Sequence, residues 1–520
     1  MFKSALILSL AVLSSATSYA LCNAPSAHLI DQKRVTQPSF GNPMTDYLPI
    51  PKNLYGSTGC MRAFQGGAIY AQDGASQAFS VLGLNKVKYD KLNGVMGSLG
   101  FPTSDELVAA DGTGRFNTFQ NGEVYWRSGA NESFEIHGSI LAKWKKLGGV
   151  KGTFGYPVTD ESVTPDQIGR YNHFQNGSIY YRPCVGGAYQ VTGLIRNRWA
   201  ELGWEKGYLG YPLTDELPTS DGNGRYNRFQ RGVVVWHPTY GTKVIWGKIY
   251  HKWIAANDVK GTYGYPKGEL VCGVNSCSQQ FSKANLTVPF SEGVDLRPEI
   301  NKRNIAIRNQ GPRGTCSVQT LTFLLEYAYT QMCGETAGYN FLSVEYLNHV
   351  GNKATGKTDD GDFFRNIAEG YLKYGIVRDH FLQYDPGLTY NYQTMESAIQ
   401  SLAIVPMGQD LLSKLTFKGL FIKPNDGTVG LSDAQMNTIK TYLDRQIPVG
   451  IGRGHSMAVV GYELSSAYPG GGRFIFRNSY GTGTGINGYQ YEDFDSVKKT
   501  TNDVYVFDIP GMRGYVPSPH

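Results

Sequence analysis

In the first half of the chain, apolar and polar positions recur with a long period. Phe-Gln pairs begin at Phe64, Phe119, Phe174 and Phe229, each 55 residues after the last. A fifth copy, Phe281, follows 52 residues later, with its glutamine moved ahead to Gln280. A Gly-x-Pro turn recurs at Pro102, Pro157, Pro212 and Pro266, with an earlier copy at Gly41-Asn42-Pro43, and an aromatic recurs at Tyr89, Trp144, Trp199 and Trp253. Self-similarity at one fixed period marks a repeat architecture. One unit reads as an extended strand over residues 169–175, a turn at Asn176-Gly177 and a return strand over residues 178–181. A short helix around Trp199 follows, with Gly203 placed to end it. The spacing puts Trp144, Trp199 and Trp253 on buried helix faces. Along the hairpin strands, Tyr125-Trp126, Tyr180-Tyr181 and Val235-Trp236 alternate, so one of each pair faces outward, where a ring could stack on a sugar.

Near residue 286 this period stops, and no tryptophan follows Trp253. Val294-Asp295-Leu296-Arg297 opens a different segment. The stretch Asn309-Gln310-Gly311-Pro312-Arg313-Gly314-Thr315-Cys316-Ser317 is a tight loop. After it, apolar residues at Leu321, Leu324, Leu325 and Ala328 predict a buried amphipathic helix. Cys316 then sits at a helix N-terminus, where free N–H groups and the helix dipole favour a thiolate.

With 520 residues the chain is too long for one compact core, and its 64 glycines and 13% aromatic content fit turn-rich β-structure. Residues 1–20 have the form of a secretory signal: Lys3, an apolar stretch over residues 5–13, and Ser18-Tyr19-Ala20 before a cleavage point. That stretch is too short to span a bilayer and no later segment qualifies, so a secreted, periplasmic or wall-associated protein without a membrane span is expected. Seven cysteines leave at least one thiol unpaired. Cys272 and Cys277 are close enough for a small loop and Cys22–Cys60 would tie down the new N-terminus, but pairing is not fixed by sequence. The net charge of +6 is uneven: 28 Lys and Arg face 20 Asp and Glu in residues 1–285, against 21 and 23 afterwards. The basic half would suit an anionic polymer, although a solvated surface is the simpler and favoured explanation of the excess. No basic run or motif points to a nucleic acid, and neither a metal nor a cofactor is called for.

Two resemblances sharpen this reading. The repeat resembles the LGFP repeat: Leu99-Gly100-Phe101-Pro102 is its turn verbatim, and Phe154-Gly155-Tyr156-Pro157, Leu209-Gly210-Tyr211-Pro212 and Tyr263-Gly264-Tyr265-Pro266 are close variants. This resemblance implies an association with cell walls and their polysaccharides. Five turns and five hairpins fit a propeller-like ring of about five repeats over residues 41–285, after an N-terminal segment at 21–40.

Residues 286–520 resemble a two-lobed, α+β papain-like cysteine peptidase. Gln310 precedes Cys316 with the family's spacing. Leu342-Ser343-Val344-Glu345-Tyr346-Leu347, Gly454-His455-Ser456-Met457-Ala458 and Arg477-Asn478-Ser479-Tyr480-Gly481 match its later segments. The resemblance implies a catalytic set of Cys316 as nucleophile, His455 as its proton partner, Asn478 orienting the imidazole and Gln310 as oxyanion donor, with peptide bonds as substrate. Asp360-Gly361-Asp362 roughly matches a substrate-binding loop, making Asp360 and Gly361 candidates for that role. The chain departs from the family at Arg313, where a disulfide cysteine is usual, at Ser317, and at Tyr480 and Thr484, where tryptophans are usual. A repeat domain also stands where a helical inhibitory propeptide is normally found. Two other readings remain open on sequence: a cell-wall peptide hydrolase or amidase, and a wall-binding protein with a dead catalytic lobe.

Overall fold

The computed structural model describes residues 22–183, 187–272, 276–289, 293–333, 342–401 and 418–508; the expected leader, residues 1–20, lies outside them. The chain forms two compact units, Met1–Asp160 and Glu161–His520.

In the first unit, the helix Ala24–Thr36 is capped by Asn23, whose side chain accepts from the Ser26 N–H at 2.7 Å. A Cys22–Cys60 disulfide ties its start to the first sheet. That sheet runs in order through Leu48–Ile50, Gly59–Phe64, Gly67–Gln72 and Phe79–Leu82. The next runs through Leu107–Val108, Arg115–Phe119, Gly122–Trp126 and Ser133–Ile136. A nine-residue helix follows each, Gly83–Lys91 and Gly138–Lys146.

The second unit opens with the same pattern. One sheet is built from Ser162–Val163, Arg170–Phe174, Gly177–Tyr181 and Ala188–Thr192, the next from Leu217–Pro218, Arg225–Phe229, Gly232–His237 and Gly241–Trp246. The helices Gly193–Glu201 and Gly247–Ala255 follow them. A three-stranded sheet comes last, its first two strands joined by a Cys272–Cys277 disulfide. Every sheet here is antiparallel and open, and no barrel closes among the described residues. The expected hairpin is therefore the middle of a larger sheet. Its two-residue loop is Gln175-Asn176, with Gly177 paired to Phe174, so the return strand starts one residue earlier than the Asn-Gly signal predicts. In the next sheet, Gly232 holds the same place, and a Cβ there would fall 2.4 Å from the Ile245 carbonyl. Glycine opens the return strand because the fourth strand passes too close for a side chain.

The repeated motifs have one physical cause. The Gly of each Gly-x-Pro turn has φ near +70°, as at Gly100 (+70°) and Gly210 (+72°), and a Cβ there would strike a glutamine oxygen, at 2.4 Å for Gly100 and 2.3 Å for Gly210. That oxygen accepts the next residue's N–H: Gln120 from Phe101 at 2.9 Å and Gln230 from Tyr211 at 3.1 Å. The same peptide's carbonyl accepts from the helix aromatic. Trp144 Nε1 donates to Gly155 O at 2.9 Å, Trp199 to Gly210 O at 3.1 Å, Trp253 to Gly264 O at 2.9 Å, and the Tyr89 hydroxyl to Gly100 O at 2.6 Å. One peptide is thus clamped at both ends. In the last copy, where the glutamine has moved to 280, Ser282 Oγ accepts the Tyr265 N–H instead. The three tryptophans are buried, as their spacing predicts; of the hairpin pairs, Tyr125, Tyr180 and Val235 are buried while Trp126, Tyr181 and Trp236 are partly exposed. Successive sheets are stitched by an amide: Asn227 Nδ2 donates to Gln190 O of the preceding sheet at 2.9 Å, and Gln279 Nε2 to Val244 O at 2.8 Å.

The rest of the second unit has a helical side and a sheet side. The sheet order is Lys418–Lys423, Asp503–Asp508, Val449–Gly452, Ser456–Leu464, Gly472–Arg477 and Tyr489–Asp493, and Val294–Asp295 also pairs with Ser456–Leu464. The helix Cys316–Cys333 packs on the central strands. It shares one continuous core with the helices Val344–Thr355, Phe364–Tyr374 and Asp433–Asp444. Lys248, on the last repeat helix, donates to Gly293 O at 3.0 Å and pairs with Asp444 at 3.6 Å. No helix among the described residues is long and apolar enough to cross a membrane.

Candidate active site

The loop before Cys316 is anchored by the backbone: Gln310 N–H donates to Ser479 O at 2.7 Å, and Asn309 bridges to Tyr480. Thr315 O accepts the first helical bond, from Gln319 N–H at 2.9 Å, so Cys316 is the first residue of its helix. Among the described residues its thiol is the one free cysteine.

His455 stands in the three-residue loop Arg453-Gly454-His455 that joins Val449–Gly452 to Ser456–Leu464, with Gly454 supplying the positive φ (+81°) that closes it. Asn478 directly follows the strand Gly472–Arg477, and its N–H donates to Gly488 O at 3.0 Å. Its Oδ1 accepts from His455 Nε2 at 2.8 Å and from the Ser479 N–H at 2.7 Å; two donors on one atom fix that atom as the amide oxygen. The imidazole's other nitrogen is left for Cys316, whose side chain interacts with His455.

Electrostatics follow from this contact. Burial pushes the Cys316 thiol up, but hydrogen bonds from His455 and Ser456 and the imidazolium charge bring it below its ordinary value. Burial pushes His455 down, but its bonds to Cys316 and Asn478 raise it above the usual imidazole range. Each shift is in the direction in which one group's charged form favours the other's. The Tyr480 ring stacks on the imidazole, centroids 4.8 Å apart and planes 10° apart, and remains 42% exposed, so it covers the histidine with one solvent-facing edge.

Gln310 is buried beside this pair. Its Oε1 accepts from Ser479 Oγ at 2.5 Å and its Nε2 donates to Arg313 O at 2.8 Å. The second Nε2 hydrogen is free for another acceptor. Asp360 and Gly361 lie against the loop before Cys316, since a Cβ on Gly361 would fall 2.2 Å from Gly314 O. Gly361 N–H donates to Asn348 Oδ1 at 2.9 Å and its carbonyl accepts from Lys357 Nζ at 2.6 Å. Asp360 is committed to Arg313 through Nε–Oδ2 at 2.9 Å and Nη2–Oδ1 at 2.6 Å.

Arg313 and Ser479 are the residues whose part in this site sequence reading did not supply. Arg313 stood out there only as a departure. A buried arginine calls for carboxylates, but its partners lie 32 and 47 residues away and no local pattern points to them. No group of His, Cys, Asp and Glu suited to a metal occurs among the described residues.

The LGFP repeat family matches residues 99–152, 154–207 and 209–261. No curated protein matches the chain. Among solved structures it matches xylellain, a cysteine protease from Xylella fastidiosa, at 17% identity over 42% of this chain and 85% of that one, with a TM-score of 0.30. Digestive procathepsin L 3 of the Tenebrio molitor larval midgut matches at 16% identity over 50% and 79%, TM-score 0.30. The cysteine protease and lectin-like domains of Cwp84, a surface layer associated protein of Clostridium difficile, match at 17% over 42% and 53%, TM-score 0.27. The chain therefore carries LGFP repeats, and its structural matches include papain-like cysteine proteases.

Proposed function

We propose that this protein is an exported papain-like cysteine endopeptidase, held at a cell wall or polysaccharide by its LGFP repeats. The observation that carries the reading is His455 between its two partners, the Cys316 thiol on one side and Asn478 Oδ1 at 2.8 Å on the other. Residues 286–520 are the peptidase, residues 41–285 a propeller-like repeat domain of about five units, and residues 1–20 the export signal. Five successive small sheets and three matched repeats support the middle assignment. Two disulfides support an oxidising compartment.

Cys316 Sγ attacks the scissile carbonyl carbon, and the resulting oxyanion takes hydrogen bonds from the free Gln310 Nε2 hydrogen and the Cys316 N–H. His455 gives its proton to the leaving amine as the C–N bond breaks. It then accepts a proton from the water that cleaves the thioester, releasing the acid and restoring the thiolate. Asn478 and Tyr480 hold the imidazole in plane through both proton transfers. Asp360 and Gly361 form one wall for the substrate chain.

The test is labelling with an epoxide of the papain-inhibitor type, paired with turnover of a casein-like substrate. Stoichiometric label on Cys316 with casein cleavage is expected. A folded protein that takes no label sinks the enzymatic reading. Label with turnover of wall stem peptides alone would instead make it a cell-wall hydrolase.

A further inference from the structure

Arg313 is buried, yet it carries a full charge three residues before the nucleophile. All five of its guanidinium hydrogens are used. Nη1 and Nη2 fork onto Glu345 at 2.7 and 2.8 Å, Nε and Nη2 fork onto Asp360 at 2.9 and 2.6 Å, and Nη1 also reaches Asp385 O at 2.8 Å. The guanidinium lies 4.7 Å over the Tyr384 ring. Two planar forks and a stacked ring leave the side chain one orientation, a geometry that arginine meets and lysine cannot.

This rigidity reaches the reacting groups by three short routes. The Arg313 carbonyl itself accepts the Gln310 amide at 2.8 Å, which turns the other Nε2 hydrogen away. The Tyr384 hydroxyl donates to Gln310 O at 2.9 Å and accepts from Thr315 Oγ1 at 2.7 Å, next to the nucleophile. Asp360 Oδ1 also accepts from Asn348 Nδ2 at 3.0 Å, and Asn348 Oδ1 takes the Gly361 N–H, so the 360–361 turn is held against Gly314.

We propose that Arg313 is a positioning residue: through Glu345 and Asp360 it holds the oxyanion amide of Gln310 and the 360–361 turn at their working separation. This rests on the peptidase reading above. The cluster is an ionic staple between the nucleophile loop, the helix Val344–Thr355 and the cleft wall. It acts on the step that develops negative charge on oxygen, and not on the reactivity of the thiol.

That separation gives the experiment, made on the full chain. Peptide hydrolysis needs the oxyanion donors; alkylation of Cys316 by iodoacetamide is a direct displacement and needs only the Cys316–His455 pair. Arg313→Lys keeps the charge with three donors. The triple variant Arg313→Met/Glu345→Gln/Asp360→Asn removes every charge of the cluster, so no carboxylate is left buried alone if Arg313→Ala fails to fold. In both test variants kcat is expected to fall by about tenfold or more, with the alkylation rate within about twofold of wild type. Unchanged kcat in either folded variant overturns the proposal, as does alkylation that falls in step with kcat, which would mean general damage. A wild-type protein that alkylates but cleaves no peptide overturns the peptidase reading, and this inference with it.

Discussion

In the repeats, the recurring polar grips turn to the backbone: Trp199 and Trp253 to glycine carbonyls, Gln230 to a turn N–H, Asn227 to the preceding sheet. Around the candidate site polar side chains turn to one another: Arg313 to Glu345 and Asp360, Arg308 to Glu326, His455 to Cys316 and Asn478. A backbone acceptor is present whatever the sequence, so Tyr89 can stand for tryptophan and Ser282 for glutamine. A side-chain pair needs both members, and losing one leaves the other desolvated. Those repeat positions are therefore tolerant of substitution, and the Arg313 and His455 pairs are not.

The largest expected effect breaks the comparison on the catalytic side. Cys316→Ala should reduce peptide cleavage by roughly 10³-fold or more, measured on a peptide library, while its thermal unfolding stays near wild type. On the repeat side, Trp199→Ala removes a buried ring and its bond to Gly210 O, and should cost ~3–5 kcal/mol in that unit. Hydrogen exchange should show the loss confined to the repeats, with the epoxide labelling rate of Cys316 unchanged. A fall in labelling would show that the two parts of the second unit share one fate.

Asn478→Ala is expected to be smaller, about tenfold in kcat, and carries a pH signature. The proposed active form needs Cys316 deprotonated and His455 protonated, and their contact lowers the thiol and raises the imidazole. Removing one of the two bonds that raise His455 should move the alkaline limb of the rate profile to lower pH and leave the acid limb in place. The smallest effect is in the repeats. Burial, and then the Arg196 charge, hold His173 down to about 4, from 6.5. The unfolded chain takes the proton first, so stability is present above about pH 6.5 and declines as pH falls toward 4. His173→Gln should flatten that slope in a melting-temperature series across the same range.

What could be read in advance follows the range of each interaction. The hairpin strands and the short helices announced themselves because Phe174, Tyr180 and Trp199 recur with the period. The outer strands did not, since Ser162–Val163 is two residues long with no alternation to detect. Cys316, His455 and Asn478 each sit in a local motif, and the fold brings them together. The Arg313 cluster joins three segments with no shared motif, so only coordinates assemble it. The stacking of Tyr480 on His455 belongs to the same class: the substitution was visible but its geometry was not.

The doubly held Gly–aromatic peptide has a genealogical consequence. Its holders, Trp199 and Gln230, both belong to the same stretch of chain as the peptide they grip. Such a stretch carries its own turn and both its grips. Duplicating or excising one whole length keeps each turn with its two grips, whereas a slip of a single residue parts the turn from them. Selection on this architecture would add or remove units entire, and drift would be spent on the exposed faces between them.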